Sequence, residues 1–322
     1  MPLEIKGLSK RYGNKWVLRD LELTAHEGRV LGLLGGTASG KTTVLNLISG
    51  AQRPNGGSIT LDGNDLLSVR PKEREITVLP ERAKPPIVGL FGGSPAESSG
   101  EAALKGFEEK LINAGKVVLL DDPFAHLDLE LRSQCVEQVR RAARQRDRIV
   151  IFATTDFELL TELADDAAVL SSDRIIQTGA PQELYDEPDT IAVAELTGGG
   201  NIFEARRLSK NDAELPEFHT IDGGYRVFAA PTEKRRLGSI HQNVKLCIRL
   251  EQVAMSMGAS FPEDNLLRAT VTGIHFRGPT SVVEFDASGL RLEARVFKVV
   301  GLNVGDECML GLPPHRIKIL AY

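Results

Sequence analysis

Nine consecutive residues, Gly35-Gly36-Thr37-Ala38-Ser39-Gly40-Lys41-Thr42-Thr43, satisfy the full pattern G-x-x-x-x-G-K-[ST], a set of residue types suited to gripping a row of phosphates. Glycines at 35, 36 and 40 let the main chain wrap an anion without side-chain clash. Lys41 would set a point charge against the β- and γ-phosphates, and the Thr42 hydroxyl would ligate Mg²⁺. A second chemical pair, Asp121-Asp122, closes the apolar run Val117-Val118-Leu119-Leu120. Carboxylates at a strand end lie where ligands gather in doubly wound sheets; a solvated acidic turn after a core strand would look similar.

The elements that position the loop are legible on both sides. Val30-Leu31-Gly32-Leu33-Leu34 reads as a buried strand, and Val44, Leu45, Leu47 and Ile48 recur at helical spacing. The loop therefore joins a strand to a helix N-terminus, where free N–H groups and the positive end of the helix dipole face any anion in the turn. A Gly-rich turn before a core helix is the plainer alternative, and it leaves the fixed lysine and threonine unexplained.

At 322 residues, 42% hydrophobic and 26% charged, the chain can bury two cores and is not of disordered composition. A formal net charge of -5, a pI near 5.8 and 5% aromatic residues argue against a general nucleic-acid binder. The basic run from Arg140-Arg141 to Arg148 reads as a solvated helix face. Cys135, Cys247 and Cys308 are odd in number and far apart, which suggests neither a disulfide frame nor a zinc site and fits a reducing compartment. No apolar stretch reaches the roughly 18 residues needed to cross a bilayer and no signal-peptide pattern is visible, so membrane attachment is expected through a partner.

Tyr12 stands just before a turn at Gly13-Asn14, between short strands at Leu3-Glu4-Ile5 and Trp16 to Leu23. A lone tyrosine in a hairpin is ordinarily a packing residue. Together with the phosphate loop and with Pro54-Asn55-Gly56-Gly57-Ser58-Ile59-Thr60-Leu61-Asp62-Gly63, however, the layout resembles the N-terminal half of ABC-transporter ATPases. The resemblance implies that Tyr12 stacks on adenine, that Asp121 holds Mg²⁺ through water, and that Asp122 takes the place of the Glu that polarises the attacking water. It also implies that Pro123 to Asp128 form the loop by which two such subunits meet.

The chain departs from the family's pattern at four sites, marked by Pro80, Ser99, Asp122 and Thr155, and in the length of one arm. Pro80 replaces a Gln that touches the metal and senses the transmembrane partner, and a proline offers neither an amide side chain nor an N–H. Between Pro80 and Asp121 the helical arm is shortened, and residues 82–93 are Pro/Gly-rich and read as a loop. The signature Leu-Ser-Gly-Gly-Gln becomes Glu97-Ser98-Ser99-Gly100-Glu101, ahead of a helix from Ala102 to Ile112. Asp122 is one methylene shorter than Glu, and Thr155-Asp156 stands where the family carries a histidine on the γ-phosphate.

A helix from Leu129 to about Arg146 and a buried strand at Ile149 to Thr154 complete this half, followed by a strand pair and helix from Ala167 to Tyr185. Gly198-Gly199-Gly200 marks a change of pattern. Alternating segments at 225–228, 244–249, 267–276, 281–285, 290–296 and 308–312 then suggest a small closed barrel of oligonucleotide-fold type. This resembles the C-terminal regulatory domain of importer ATPases for sugar, polyamine, sulfate and iron, with Arg249 in a characteristic strand.

The expected fold is thus an α/β P-loop NTPase of ABC type with a shortened arm (residues 1–197), then an all-β oligonucleotide-fold-like barrel (201–322). The resemblance implies an ATP- and Mg²⁺-binding importer subunit, peripheral on the cytoplasmic face of the membrane. Its implied partners are transmembrane permease subunits and, in a homodimer or heterodimer, a second ATPase chain; no nucleic acid is expected. The alternative is a subunit that binds nucleotide without hydrolysing it.

Overall fold

The computed structural model describes residues 2–79, 99–124, 127–145, 147–208, 215–232, 239–257, 265–298 and 301–321. Pro80, the stretch 82–93, Glu97, Ser98 and His126 lie outside them. The chain divides into two compact units, Met1–Leu184 and Tyr185–Tyr322.

The first unit is built on two sheets. Strands β1 (Pro2–Tyr12), β2 (Lys15–His26), β4 (Gly56–Leu61) and β5 (Asn64–Asp65) form an antiparallel sheet in the order β2-β1-β4-β5. The other sheet contains β3 (Val30–Leu34), β6 (Ile76–Leu79), β7 (Val117–Asp121), β8 (Ile149–Thr154), β9 (Asp166–Ser171) and β10 (Arg174–Gly179), in the order β10-β9-β3-β8-β7-β6. All its pairings are parallel except β10 with β9. Parallel strands are covered on both faces, which is why β3, β7 and β8 are near-continuous apolar runs. The helices are α1 (Lys41–Ser49), α2 (Ser99–Ile112), α3 (Leu129–Gln145) and α4 (Phe157–Leu163).

Gly32 interrupts the apolar run of β3 for a packing reason. A Cβ there would lie 2.2 Å from Leu160 Cδ1 and 3.1 Å from the Phe152 ring, so only glycine lets α4 seat against the central strand. One core then runs from the antiparallel sheet through α1 to the parallel sheet, joining Leu3, Ile5 and Ile59 to Leu45, Ile48, Leu119 and Ile151.

One expectation is corrected here. Arg141 and Arg144 are exposed as a solvated face requires, but Arg148 is 6% exposed. Its guanidinium donates to the carbonyls of Leu111, of Ile112 at 3.0 Å and of Ala114 at 2.6 Å. A cation on carbonyls at the end of α2 satisfies orphan acceptors and complements the helix dipole. Charge patterning could not separate this arginine from its neighbours because its partners lie more than thirty residues away.

In the second unit the helices α5 (Pro181–Asp186, which begins before the division) and α6 (Ile191–Leu196) precede ten strands among the described residues. These are β11 (Asn201–Arg207), β12 (Glu217–Thr220), β13 (Arg226–Phe228), β14 (Asn243–Ile248), β15 (Ala254–Ser256), β16 (Asn265–Phe276), β17 (Ser281–Ala287), β18 (Leu290–Val296), β19 (Glu307–Leu312) and β20 (Lys318–Leu320). Among the described residues the expected all-β domain is laid out as two five-stranded antiparallel sheets, β13-β12-β11-β14-β20 and β15-β19-β16-β17-β18, and not as one closed ladder. Alternate residues of both sheets, Phe203, Phe218, Leu246, Val283, Phe285, Leu292 and Leu310 among them, meet in one core.

The division falls ahead of the triple glycine, and Arg249 supplies a reason. It is 4% exposed, donates to Tyr185 O at 2.6 Å, Ala194 O at 3.0 Å and Thr197 Oγ1 at 2.8 Å, also reaches Gly199 O, and lies 4.0 Å from the Tyr185 ring centroid. Residues 185–199 are thereby tied to the end of β14. The Tyr185 hydroxyl donates in turn to Glu251, and burial together with that carboxylate raises its pKa.

Candidate functional site

The loop 35–40 leaves the carboxyl end of β3, which lies between β8 and β9. Strand order reverses there, and an open α/β sheet opens a crevice at such a point. Gly35 is packed too closely for a side chain, since a Cβ would stand 2.5 Å from Leu170 O and 2.6 Å from Ser39 Oγ. Gly40 takes φ 106° at the start of α1, a conformation reserved for glycine, and Ser39 N donates to Gly36 O at 3.2 Å. Helix α1 has no side-chain N-cap and no acidic residue in its first turn. Its first N–H groups therefore keep their donor capacity for a group in the loop.

Lys41 is 9% exposed, and its Nζ donates to Gly35 O at 2.6 Å, Gly36 O at 2.9 Å and Ser39 Oγ at 3.4 Å. Burial pushes its pKa below the ordinary lysine value, while the charges of Asp121 and Asp122 act in the opposite direction. The two acidic residues at the end of β7 thus share the electrostatic field of the loop.

Asp121 is half-buried at the strand end and Asp122 follows with φ 45°, a left-handed conformation that aspartate tolerates better than most residues. Asp122 N donates to Ala153 O at 2.8 Å, and its Oδ1 accepts from Thr154 Oγ1 at 3.5 Å. Thr154 Oγ1 accepts the Asp156 N–H at 3.0 Å. Asp156 caps α4 by accepting from Glu158 N at 2.8 Å and Leu159 N at 3.3 Å, and it pairs with Arg132 Nη1 at 3.1 Å. Thr155 is exposed. Asp128 caps α3 by accepting from Leu131 N at 2.9 Å.

A cleft of about 720 Å³ opens beside the loop, lined by Tyr12, Lys15, Trp16, Val17, Ala38 to Thr43, Ser172 and Asp173. Its size suits a nucleotide-scale ligand. The tip of the β1–β2 hairpin brings Tyr12 to the far end; its hydroxyl donates to Gln52, and Lys10 Nζ lies 5.3 Å from its ring centroid. Of the sequence-selected residues, Tyr12 and Ala38 to Thr43 line this cleft. Gly35, Gly36 and Thr37 form the body of the loop outside its lining, and Asp121 and Asp122, also outside it, act on Lys41 through their charge. Sequence reasoning passed over Trp16, Ser172 and Asp173. The signal for the first was its being the single tryptophan of the chain, four positions after Tyr12.

The ABC transporter family model matches residues 18–88, a span that includes β3, the entire loop and α1. The spermidine/putrescine import ATP-binding protein PotA of Haemophilus ducreyi is 28% identical over 331 aligned positions, covering 90% of this chain and 87% of that one. The Fe(3+) ions import ATP-binding protein FbpC of Photorhabdus laumondii subsp. laumondii is 27% identical over 355 positions, covering 99% and 97%. The chain is similar over nearly its whole length to ABC-importer ATP-binding subunits. A further relative, the spermidine/putrescine import ATP-binding protein PotA of Clostridioides difficile, is 26% identical over 356 positions, with coverage of 99% and 97%. The alignments run over nearly both full lengths and so take in the second unit as well as the phosphate loop.

Proposed function

We propose that the cleft binds MgATP and that the chain is the ATP-binding subunit of an ABC importer, as the names of its relatives suggest. The observation that carries this reading is the Lys41 ammonium folded onto the carbonyls of Gly35 and Gly36, at a helix start with neither side-chain cap nor acidic residue. A buried cation held only by neutral acceptors gains on meeting an anion. In this reading Gly35, Gly36, Thr37, Ala38, Ser39, Gly40, Lys41, Thr42 and Thr43 hold the phosphates, and Tyr12 takes the base.

Thr42 and Asp121 would hold Mg²⁺. Among the described residues no three His, Cys, Asp or Glu side chains converge. One hydroxyl and one carboxylate suit an ion that keeps several waters and shares phosphate oxygens. Bound MgATP would supply the γ-phosphoanhydride whose hydrolysis powers an ABC-type ATPase, and in this reading Asp122 would orient the water.

No helix of the described residues is long and apolar enough to cross a membrane. Transmembrane permease subunits, a homodimeric or heterodimeric second ATPase chain, and a peripheral position on the cytoplasmic face of the membrane belong to this proposal. A second reading, nucleotide binding with little hydrolysis, is favoured by the short Asp122, its bond to Thr154, and the exposed Thr155.

Equilibrium binding of labelled MgATP to the parent and to Lys41→Ala tests the core claim. Binding by the parent and its loss in the variant are expected; equal and negligible uptake by both would overturn it. Turnover by the parent below the ordinary enzymatic range of about 1–10³ s⁻¹ supports the second reading, and turnover within it the first.

A further inference from the structure

In the second unit, the outer face of strands β17 and β18 carries charge in an order that the core does not require. Val283, Phe285, Leu292 and Ala294 are buried, which turns Val282, Glu284 and Asp286 of β17 and Arg291, Glu293 and Arg295 of β18 outward. The register fixes their neighbours: Val282 lies between His275 and Arg295, Glu284 between Gly273 and Glu293, and Asp286 between Thr270 and Arg291. Two carboxylates therefore stand directly opposite on adjacent strands, an arrangement that destabilises a sheet. His275 Nε2 donates to Glu284 Oε1 at 2.9 Å. A Cβ on Gly273 would lie 2.7 Å from Glu284 Oε2 and 3.1 Å from His275 Nε2, so the glycine leaves that bond its room. Among the described residues Glu293, Arg291 and Arg295 form no side-chain hydrogen bond or ion pair.

Two clefts, of about 720 and 590 Å³, lie over this face and share Glu284 and Glu293. The larger is lined by His275, Arg277 and Arg295, and the smaller extends to Asp286 and Arg291. One wall is Gly198-Gly199-Gly200, which contributes main chain and no side chains. Asn201 fixes that wall to the sheet, donating to Glu293 O at 2.8 Å and accepting from Glu293 N at 2.7 Å. Arg277 and Arg295 disfavour a simple cation here, and Glu284 and Glu293 disfavour a simple anion. We propose that this trough binds a small dipolar molecule, an ω-amino acid or a basic α-amino acid, with its carboxylate on Arg277 and Arg295 and its far ammonium between Glu284 and Glu293. Arg295 and Glu293 are two residues apart on one strand, hence roughly 7 Å, a distance that an extended five-carbon amino acid spans. Bonds between charged groups at both ends are the strong ones, and the ammonium relieves the repulsion between the carboxylates. Local rules of sheet design are broken chiefly at functional sites, and the rung that sets Glu284 against Glu293 breaks one. The site belongs to the second unit and does not depend on nucleotide binding by the first.

Calorimetric titration of the full-length protein with 5-aminopentanoate, pentylamine and pentanoate separates the two ends of the ligand, since the last two match the first in length and carry one charge each. Expected is saturable binding of 5-aminopentanoate, at least about tenfold tighter than that of either control. Glu293→Gln should weaken 5-aminopentanoate binding by about tenfold and leave pentanoate unchanged; Arg295→Gln should weaken it by a similar factor and leave pentylamine unchanged. Both positions are exposed, and melting temperatures near that of the parent verify folding. Should either variant fail to fold, the three probes on the parent decide. Pentylamine bound as tightly as 5-aminopentanoate would reduce the trough to an acidic patch, and pentanoate bound as tightly would reduce it to a basic one; either result overturns the proposal. So does the absence of saturable 5-aminopentanoate binding, or its persistence at parent strength in either folded variant.

Discussion

Thr154 offers its one hydroxyl proton to Asp122 Oδ1 across 3.5 Å, because its oxygen already accepts the amide of Asp156 at 3.0 Å. The fully buried threonine therefore joins the acidic end of β7 to the capped start of α4. Replacing Thr154 by Val keeps the shape and removes both bonds, leaving the Asp156 N–H without its partner. A loss of about 1–3 kcal/mol is expected, read as a fall in melting temperature of roughly 2–12 °C for a unit of this size, with Thr154→Ser recovering most of it. A Val variant that melts with the parent would show that the hydroxyl bridge contributes nothing.

Asp122 has the right charge and a short reach. Asp122→Glu moves the carboxylate outward by about an ångström, the scale at which catalytic rates change by on the order of 10²-fold. Steady-state ATP turnover is expected to rise by at least about tenfold, while Asp122→Asn lowers turnover and leaves MgATP binding in place. Because φ 45° suits Asp better than Glu, the Glu variant should also lose up to about 1 kcal/mol of stability. Unaltered turnover in the Glu variant would mean that carboxylate reach is not what limits hydrolysis.

Lys41 provides a pH test. Its folded pKa is depressed by burial, so between that value and the unfolded value near 10.4 the unfolded chain binds more protons than the folded one. Stability then rises with pH across that window and levels off below the folded pKa. The melting temperature of the parent measured against Lys41→Met, without nucleotide, should gain on the variant as pH increases through the alkaline range. A difference that stays flat, or falls, contradicts a buried ammonium at this position.

In the second unit Arg249 serves Tyr185, Ala194, Thr197 and Gly199 at once. Truncation to Ala removes all of these bonds from a buried site, for an expected cost of about 3–5 kcal/mol. Arg249→Lys should recover only part of it, since one ammonium cannot fan out to four acceptors as a guanidinium does. Denaturant unfolding of the three proteins measures both steps; equal midpoints for the Arg and Lys forms would reduce the clamp to a point charge.

The phosphate loop, its flanking strand and helix, the acidic strand end and most strands of the second unit were legible along the chain. Each depends on neighbours within a few residues: glycine's access to positive φ, a run of buried apolar residues, or strict alternation. Arg148 on the end of α2, Thr154 under Asp122, the hold of Arg249 on residues 185–199 and the ladder that brings Asp173 to Trp16 through Arg19 were decided only by folding. Their partners are brought together by sheet order and helix packing, and a side chain's type and local spacing carry no record of which distant backbone it will meet.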